Sequence, residues 1–187
     1  MSLVVALSGS LTQPSRTRVL VETIGRQAAH RLGAEFDVVD IAELASSLAT
    51  TSFKNLPEAV QRAQQRLKAA SLLVIGSPVY KGSYSGLLKH FLDLTDPTLL
   101  AGKVAVLAAT GGSDRHALVI DHQLRPLASF FELNTVPVGV YARDTEFTDY
   151  RLSSDATQAR VDLAVRQALT LLGRQQAVQP QAVALAA

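Results

Sequence analysis

The sequence predicts an α/β fold: a five-stranded parallel sheet, strand order 2-1-3-4-5, with helices on both faces. Three observations predict it. Short apolar runs such as Leu3-Val-Val-Ala-Leu7 and Leu72-Leu-Val-Ile75 have the length and composition of strands buried on both sides. Segments with apolar residues at helical spacing separate these runs. The alternation repeats five times, and right-handed crossovers then distribute helices over both faces of a parallel sheet. Five strands without a sixth fit the order 2-1-3-4-5 better than a six-stranded dinucleotide fold.

In chain order, the first strand covers residues 3–7, and a small, hydroxyl-rich loop follows it. The first helix runs over 16–32, with Val19, Leu20, Ile24, Ala28 and Leu32 on one face and Gly33 as its stop. The second strand is 35–40. Residues 41–56 are irregular apart from a helical turn at 43–47. Pro57 suits the first position of the next helix, whose stripe is Val60, Ala63, Leu67 and Ala70. The third strand, 71–76, runs into a loop with Pro78, Gly82, Gly86 and two tyrosines. An amphipathic helix then carries Leu87, Leu88, Phe91 and Leu92. The fourth strand is 103–110, ending at Gly111-Gly112, and a helix follows over 115–131. The fifth strand is 134–140, followed by a polar loop. The last helix carries Val161, Ala164, Val165, Ala168, Leu169 and Leu172 and closes at Gly173. Residues 1–174 form one domain; 175–187 read as a tail, disordered or docked on a partner subunit.

Composition narrows the function classes. The 187 residues suit one domain with a sizeable core. A formal net charge of +2, with aromatics at 5% and no basic cluster, sets nucleic acid aside. No apolar run reaches the roughly 18 residues of a membrane span, and no signal peptide is evident, so the expected location is cytoplasmic. There is no cysteine, which removes disulfide and thiolate chemistry. His30, His90, His116 and His122 show no i, i+4 pair, so no metal is expected.

The first strand–helix loop holds Ser8, Ser10, Thr12, Ser15 and Thr17 around Gly9 and leads into a helix N-terminus. Free N–H groups and the helix dipole there favour an anion, and hydroxyls add donors. The loop has neither the P-loop lysine nor a G-x-G-x-x-G run. A single phosphomonoester fits best, with Arg16 placed to offset part of its charge. The plainer alternative is that Ser15 only caps the helix.

The third strand ends in Pro78, Val79 and Tyr80, and the fourth in Thr110-Gly-Gly-Ser113. Open α/β sheets bind ligands at the carboxyl ends of their strands. Paired glycines admit backbone N–H groups close to a ligand, and such donors would stabilise negative charge developing on a conjugated ring. Phosphate at one strand end and a ring between the next two is the geometry of FMN. Tyr80 and Tyr84 have a competing explanation as packing or subunit-interface aromatics. Lys89 and Asp93, at i, i+4 in the weaker order, read as a solvated or interface face.

Ser8-Gly-Ser…Ser15-Arg-Thr17, Gly76-Ser-Pro-Val-Tyr-Lys-Gly-Ser-Tyr-Ser-Gly-Leu-Leu-Lys89 and Thr110-Gly-Gly112 together resemble the NAD(P)H-dependent FMN reductase family of flavodoxin-like proteins. The resemblance spans residues 3–172. It is strongest to the reductases of two-component systems that supply reduced FMN to a monooxygenase acting on alkanesulfonates. It implies FMN phosphate contacts at Ser8, Ser10, Ser15 and Thr17. It implies ring contacts at Pro78, Val79, Tyr80 and Ser83 and at Thr110, Gly111, Gly112 and Ser113. Lys81 stands where many relatives carry Asn.

Pro126 lies inside the helix expected over 115–131. Proline gives no N–H to the carbonyl four residues back, that of His122, and its ring crowds it. A kink or a π-bulge around His122 is therefore expected. The segment Ile120-Asp-His-Gln-Leu-Arg-Pro126 resembles one in the sulfonate-system reductases, where an extra residue is linked to flavin exchange. That makes His122 a candidate gating residue; a surface histidine on a harmless kink is the alternative.

The expected reaction is hydride transfer from NADH or NADPH to free FMN, with no side-chain acid or base required. The long helices and Tyr84 suggest a homodimer or homotetramer, and a flavin-dependent monooxygenase is the implied partner. Two rivals remain. One is a quinone or azo reductase that keeps its FMN. The other is a non-enzymatic electron carrier, which the slight positive charge disfavours.

Overall fold

The structure, a computed structural model, describes residues 2–184. Strands β1 (Leu3–Ser8), β2 (Glu35–Asp40), β3 (Leu72–Pro78) and β4 (Val104–Gly111) pair in parallel. Two short strands, β5 (Asn134–Thr135) and β6 (Val140–Arg143), both pair with β4 along the same edge. The order is β2-β1-β3-β4-β5, as the alternation of elements predicts.

The apolar runs supply both faces because side chains alternate along a strand. Val5, Leu7, Leu73, Ile75, Ala105 and Leu107 join one core; Val4, Ala6, Leu72, Val74, Val104 and Val106 join the other. Helices α1 (Arg16–Leu32) and α6 (Asp155–Ala184) cover the second core with Leu20, Ile24, Val161 and Val165. The first core is covered by α2 (Ile41–Leu44), α3 (Glu58–Ala69), α4 (Gly86–Asp93) and α5 (Arg125–Phe130). Tyr84 packs on this core within its own chain.

Several boundaries differ from the sequence reading. The fifth strand is split. Pro137 has no N–H to give, and the next amide, that of Val138, donates to the Gln167 side chain instead of to β4. Pro57 precedes α3 as its cap rather than starting it. The helix expected over 115–131 is three pieces: a 3₁₀ turn at Asp114–His116, a π-helix at Ile120–Leu124, and α5. The π-helix contains His122, around which Pro126 predicts a kink or a π-bulge. The last helix does not close at Gly173; α6 continues through residues assigned to a tail, and 185–187 lie outside the described residues. The polar loop after the fifth strand contains a hairpin, β7 (Phe147–Thr148) and β8 (Arg151–Leu152).

Candidate functional site

The carboxyl ends of β1, β3 and β4 surround a cleft of about 240 Å³. Hydrogen bonds join loops at these strand ends that are distant in sequence. The Gly9 N–H donates to the Gly76 carbonyl at 2.7 Å, and the Ser85 hydroxyl donates to the Gly9 carbonyl at 2.6 Å. Ser85 also caps α4 by accepting from the Leu88 N–H, while its own N–H donates to the Ser77 hydroxyl. A Cβ on Gly9 would lie 2.7 Å from Leu88 and 2.9 Å from the Gly76 carbonyl, so only glycine permits this approach.

Ser10, Thr12, Ser15, Arg16 and Thr17 bring the start of α1 to one side of the cleft. Ser15 is the N-cap, its hydroxyl accepting from the Arg18 N–H at 3.2 Å. Ser15 thus both caps the helix and lines the cleft. Pro78, Val79 and Tyr80 line the side given by β3; Thr110, Gly111 and Gly112 line that given by β4. The Tyr80 N–H donates to the Ser83 carbonyl and the Ser83 N–H to that of Tyr80, closing a tight turn through Lys81 and Gly82, both at positive φ.

The two adjacent glycines serve different ends. A Cβ on Gly111 would fall 2.5 Å from the Tyr141 hydroxyl, which donates to the Ser113 carbonyl at 2.6 Å. Burial, then the charges of Asp114, Asp144 and Glu146, push the Tyr141 phenol up and keep it a donor. A Cβ on Gly112 would meet only Asp144, at 3.8 Å, so this strand end is open toward the cleft.

The cleft therefore gathers Ser10, Ser15, Arg16, Thr17, Pro78, Val79, Tyr80, Thr110, Gly111 and Gly112 from the residues singled out in the sequence. Four others lie outside its lining. Ser8 is fully buried, its hydroxyl without a partner among the described residues. Ser83 donates its hydroxyl to Gln123 of the π-helix at 3.1 Å. Ser113 engages Tyr141 through its carbonyl. His122 is exposed on the π-helix, its N–H donating to the Leu118 carbonyl at 2.9 Å.

Thr12, Pro14, Asp144 and Tyr150 also line the cleft. Asp144 and Tyr150 come from the loop after β6. The signal that could have found them is topological: β6 ends beside Gly111, so the next residue stands at the same carboxyl edge. Asp144 lies 3.8 Å from the Arg16 guanidinium, which also sits 5.2 Å from the centre of the Tyr150 ring.

As a donor set, neutral hydroxyls at a helix start beside one guanidinium suit a phosphomonoester, and an open glycine edge between two strand ends suits a flat ring. That combination fits FMN. Among the described residues no cluster of His, Asp or Glu is arranged to hold a metal, and no helix is long and apolar enough to cross a membrane.

Residues 2–148 match the NADPH-dependent FMN reductase family, and the chain belongs to it. It is 46% identical to the NADH-dependent FMN reductase SfnF of Pseudomonas fluorescens, over 91% of each chain. It is 44% identical to an FMN reductase (NADPH) of Pseudomonas aeruginosa, over 91% of this chain and 92% of that one. Among solved structures, an oxidoreductase from Corynebacterium diphtheriae superposes with a TM-score of 0.81 at 31% identity, over 93% of this chain and 98% of that one.

Proposed function

We propose that this chain reduces FMN with NADH or NADPH and releases the product to a separate flavin-dependent monooxygenase, in the cytoplasm, as a homodimer or homotetramer. Alkanesulfonates are the proposed substrates of that partner. The observation that carries the reading is the donor set of the cleft at the sheet's carboxyl edge, in a chain of this family.

Ser10, Ser15 and Thr17 would hold the phosphate by hydroxyl and N–H donors, with Arg16 offsetting its charge. Pro78, Val79 and Tyr80 would shape one side of the ring site, and Thr110, Gly111 and Gly112 the other. Bound FMN supplies a flavin ring that accepts hydride from the nicotinamide. The protein's part is to orient the two rings and exclude water, so no side-chain acid or base is assigned. Ser83 and Ser113 are assigned supporting roles, holding the loops that carry the contacts, while Ser8, fully buried at the end of β1, is assigned no contact. His122, exposed on the π-helix, is proposed to act in flavin exchange through a subunit contact.

The test is anaerobic oxidation of NADH and NADPH by flavin-stripped protein with excess free FMN. Stoichiometric reduction of the whole FMN pool is expected. Reduction that stops at one FMN per site and resumes only with a quinone would overturn release in favour of a retained cofactor.

A further inference from the structure

The β7–β8 hairpin turns through Asp149 and Tyr150, with φ of 47° and 55°. Two positive φ values in a two-residue hairpin loop are the backbone of a type I′ turn, in which the second position strongly prefers glycine. Here a bulky aromatic occupies it, a genuine conformational outlier. Such strain persists only where the surroundings hold it, and it clusters at ligand clamps.

The surroundings do hold it. Phe147 and Leu152, at the base of the hairpin, pack into the core under α1 and α6. Glu146 fastens the flanks: it accepts from the Arg143 N–H at 2.7 Å, the Thr157 hydroxyl at 2.7 Å and the Ser154 hydroxyl at 3.1 Å, and its carbonyl accepts from the Ser153 N–H at 2.9 Å. The tip is left facing the cleft, with Tyr150 41% exposed and its ring 5.2 Å from the Arg16 guanidinium. Asp144, from the same loop, pairs with Arg16 at 3.8 Å. One side chain of the anion-binding end is thus held from a segment outside the three strand ends that form the rest of the site.

We propose that Tyr150 is a positioning residue: the strained turn holds its ring over Arg16, fixes the guanidinium for the ligand phosphate, and so sets how long FMN stays bound. This rests on the reading of the cleft as the FMN site. The turn then trades conformational ease for affinity. Glycine at 150 would suit the backbone better and bind flavin worse.

The experiment compares FMN affinity and release, by flavin-fluorescence titration and stopped flow, with thermal stability, for wild type, Y150G, Y150F, R16Q and R16Q/Y150G. Y150G is expected to melt at or above the wild-type temperature while binding FMN on the order of fivefold more weakly, the effect of losing about 1 kcal/mol of cation–π contact. The loss should appear mainly as faster release. Y150F keeps the ring and is expected to keep the slow release. In the R16Q background, Y150G should add nothing, because the tyrosine acts through the arginine. Equal FMN affinity in Y150G and wild type overturns the proposal and leaves the proposed function standing. A lowered melting temperature in Y150G makes Tyr150 a structural residue and also overturns it, as does a full additive loss in R16Q. Wild-type protein that binds no FMN overturns the proposed function and this inference together.

Discussion

The hydroxyls of Thr17 and Thr110 lie 2.6 Å apart, joining the first turn of α1 to the end of β4. Both residues are almost fully buried and both line the cleft. The contact ties the helix start proposed to bind the phosphate to the strand end proposed for the ring. Replacing Thr17 alone by Val leaves the Thr110 hydroxyl buried without this partner, at a cost of about 1–2 kcal/mol. Replacing both removes the pair cleanly, so T17V/T110V is expected to be more stable than the sum of the single variants implies. Flavin affinity should not recover with it, because the hydroxyl donors stay lost. Urea denaturation and FMN titration of the four proteins check this. A double variant that regains affinity would remove these hydroxyls from the flavin site.

Lys81 adopts a φ of 50°, and Gly82 beside it 83°. An L-residue in the left-handed region costs roughly 1–2 kcal/mol, less for Asn, whose short polar side chain bonds locally. Lys81→Asn is therefore expected to stabilise the protein by about 0.5–1 kcal/mol. FMN affinity should stay unchanged, since Lys81 is exposed and does not line the cleft. The shift of the urea midpoint is the measurement; a destabilised variant would mean that the lysine side chain makes a contact outweighing the backbone strain.

The sheet order followed from continuous apolar runs, because a strand buried on both faces leaves that pattern and little else does. The hydroxyl loop and the strand-end motifs were legible since each is local in the chain. Asp144 and Tyr150 were not. They lie in a polar stretch whose hairpin is only two residues per strand, its turn lacks the glycine that would announce it, and their place at the cleft depends on a strand that Pro137 splits. The end of α6 was misplaced for a related reason: Gly173 is tolerated inside a helix at a cost near 1 kcal/mol, which long flanking turns absorb. Gly111 shows the opposite failure. The glycine is plain in the sequence, but part of its reason, the Tyr141 hydroxyl, comes from a residue thirty positions on.

Pro126 sits in the first turn of α5, directly after the π-helix Ile120–Leu124. An amide at position 126 would be free to bond the His122 carbonyl in ordinary α-helical register. Pro126→Ala is therefore expected to favour an α-helical path through the segment. The Gln123 side chain, which accepts from Ser83 in the loop beside the cleft, would then turn away from that loop. The expected result is altered flavin exchange with unchanged affinity for the nicotinamide substrate, read by stopped-flow FMN release. Unchanged exchange, with a crystal structure showing the π-helix intact, would make the proline a passenger.

Glu146 offers a test by pH. Burial pushes its carboxyl up, but hydrogen bonds from the Arg143 N–H and the Thr157 and Ser154 hydroxyls, with the Arg143 charge, outweigh burial and hold it below the ordinary glutamate value. A carboxyl lowered in the folded state contributes stability that is complete above its unfolded pKa, about 4.3, and lost as pH falls through the lower folded value. Wild type should therefore lose part of its stability below about pH 4.3, whereas Glu146→Ala should lack that share at every pH. The variant is expected to be about 1–3 kcal/mol less stable near neutrality, since three donors, one of them the buried Thr157 hydroxyl, lose their acceptor. The gap should close as acid protonates the wild-type carboxyl. Because Glu146 anchors both flanks of the hairpin that carries Tyr150, FMN release should also quicken at neutral pH. Denaturant melts from pH 3 to 8 on both proteins decide the matter: a stability gap that persists at acid pH would show that Glu146 acts through packing rather than through its charge.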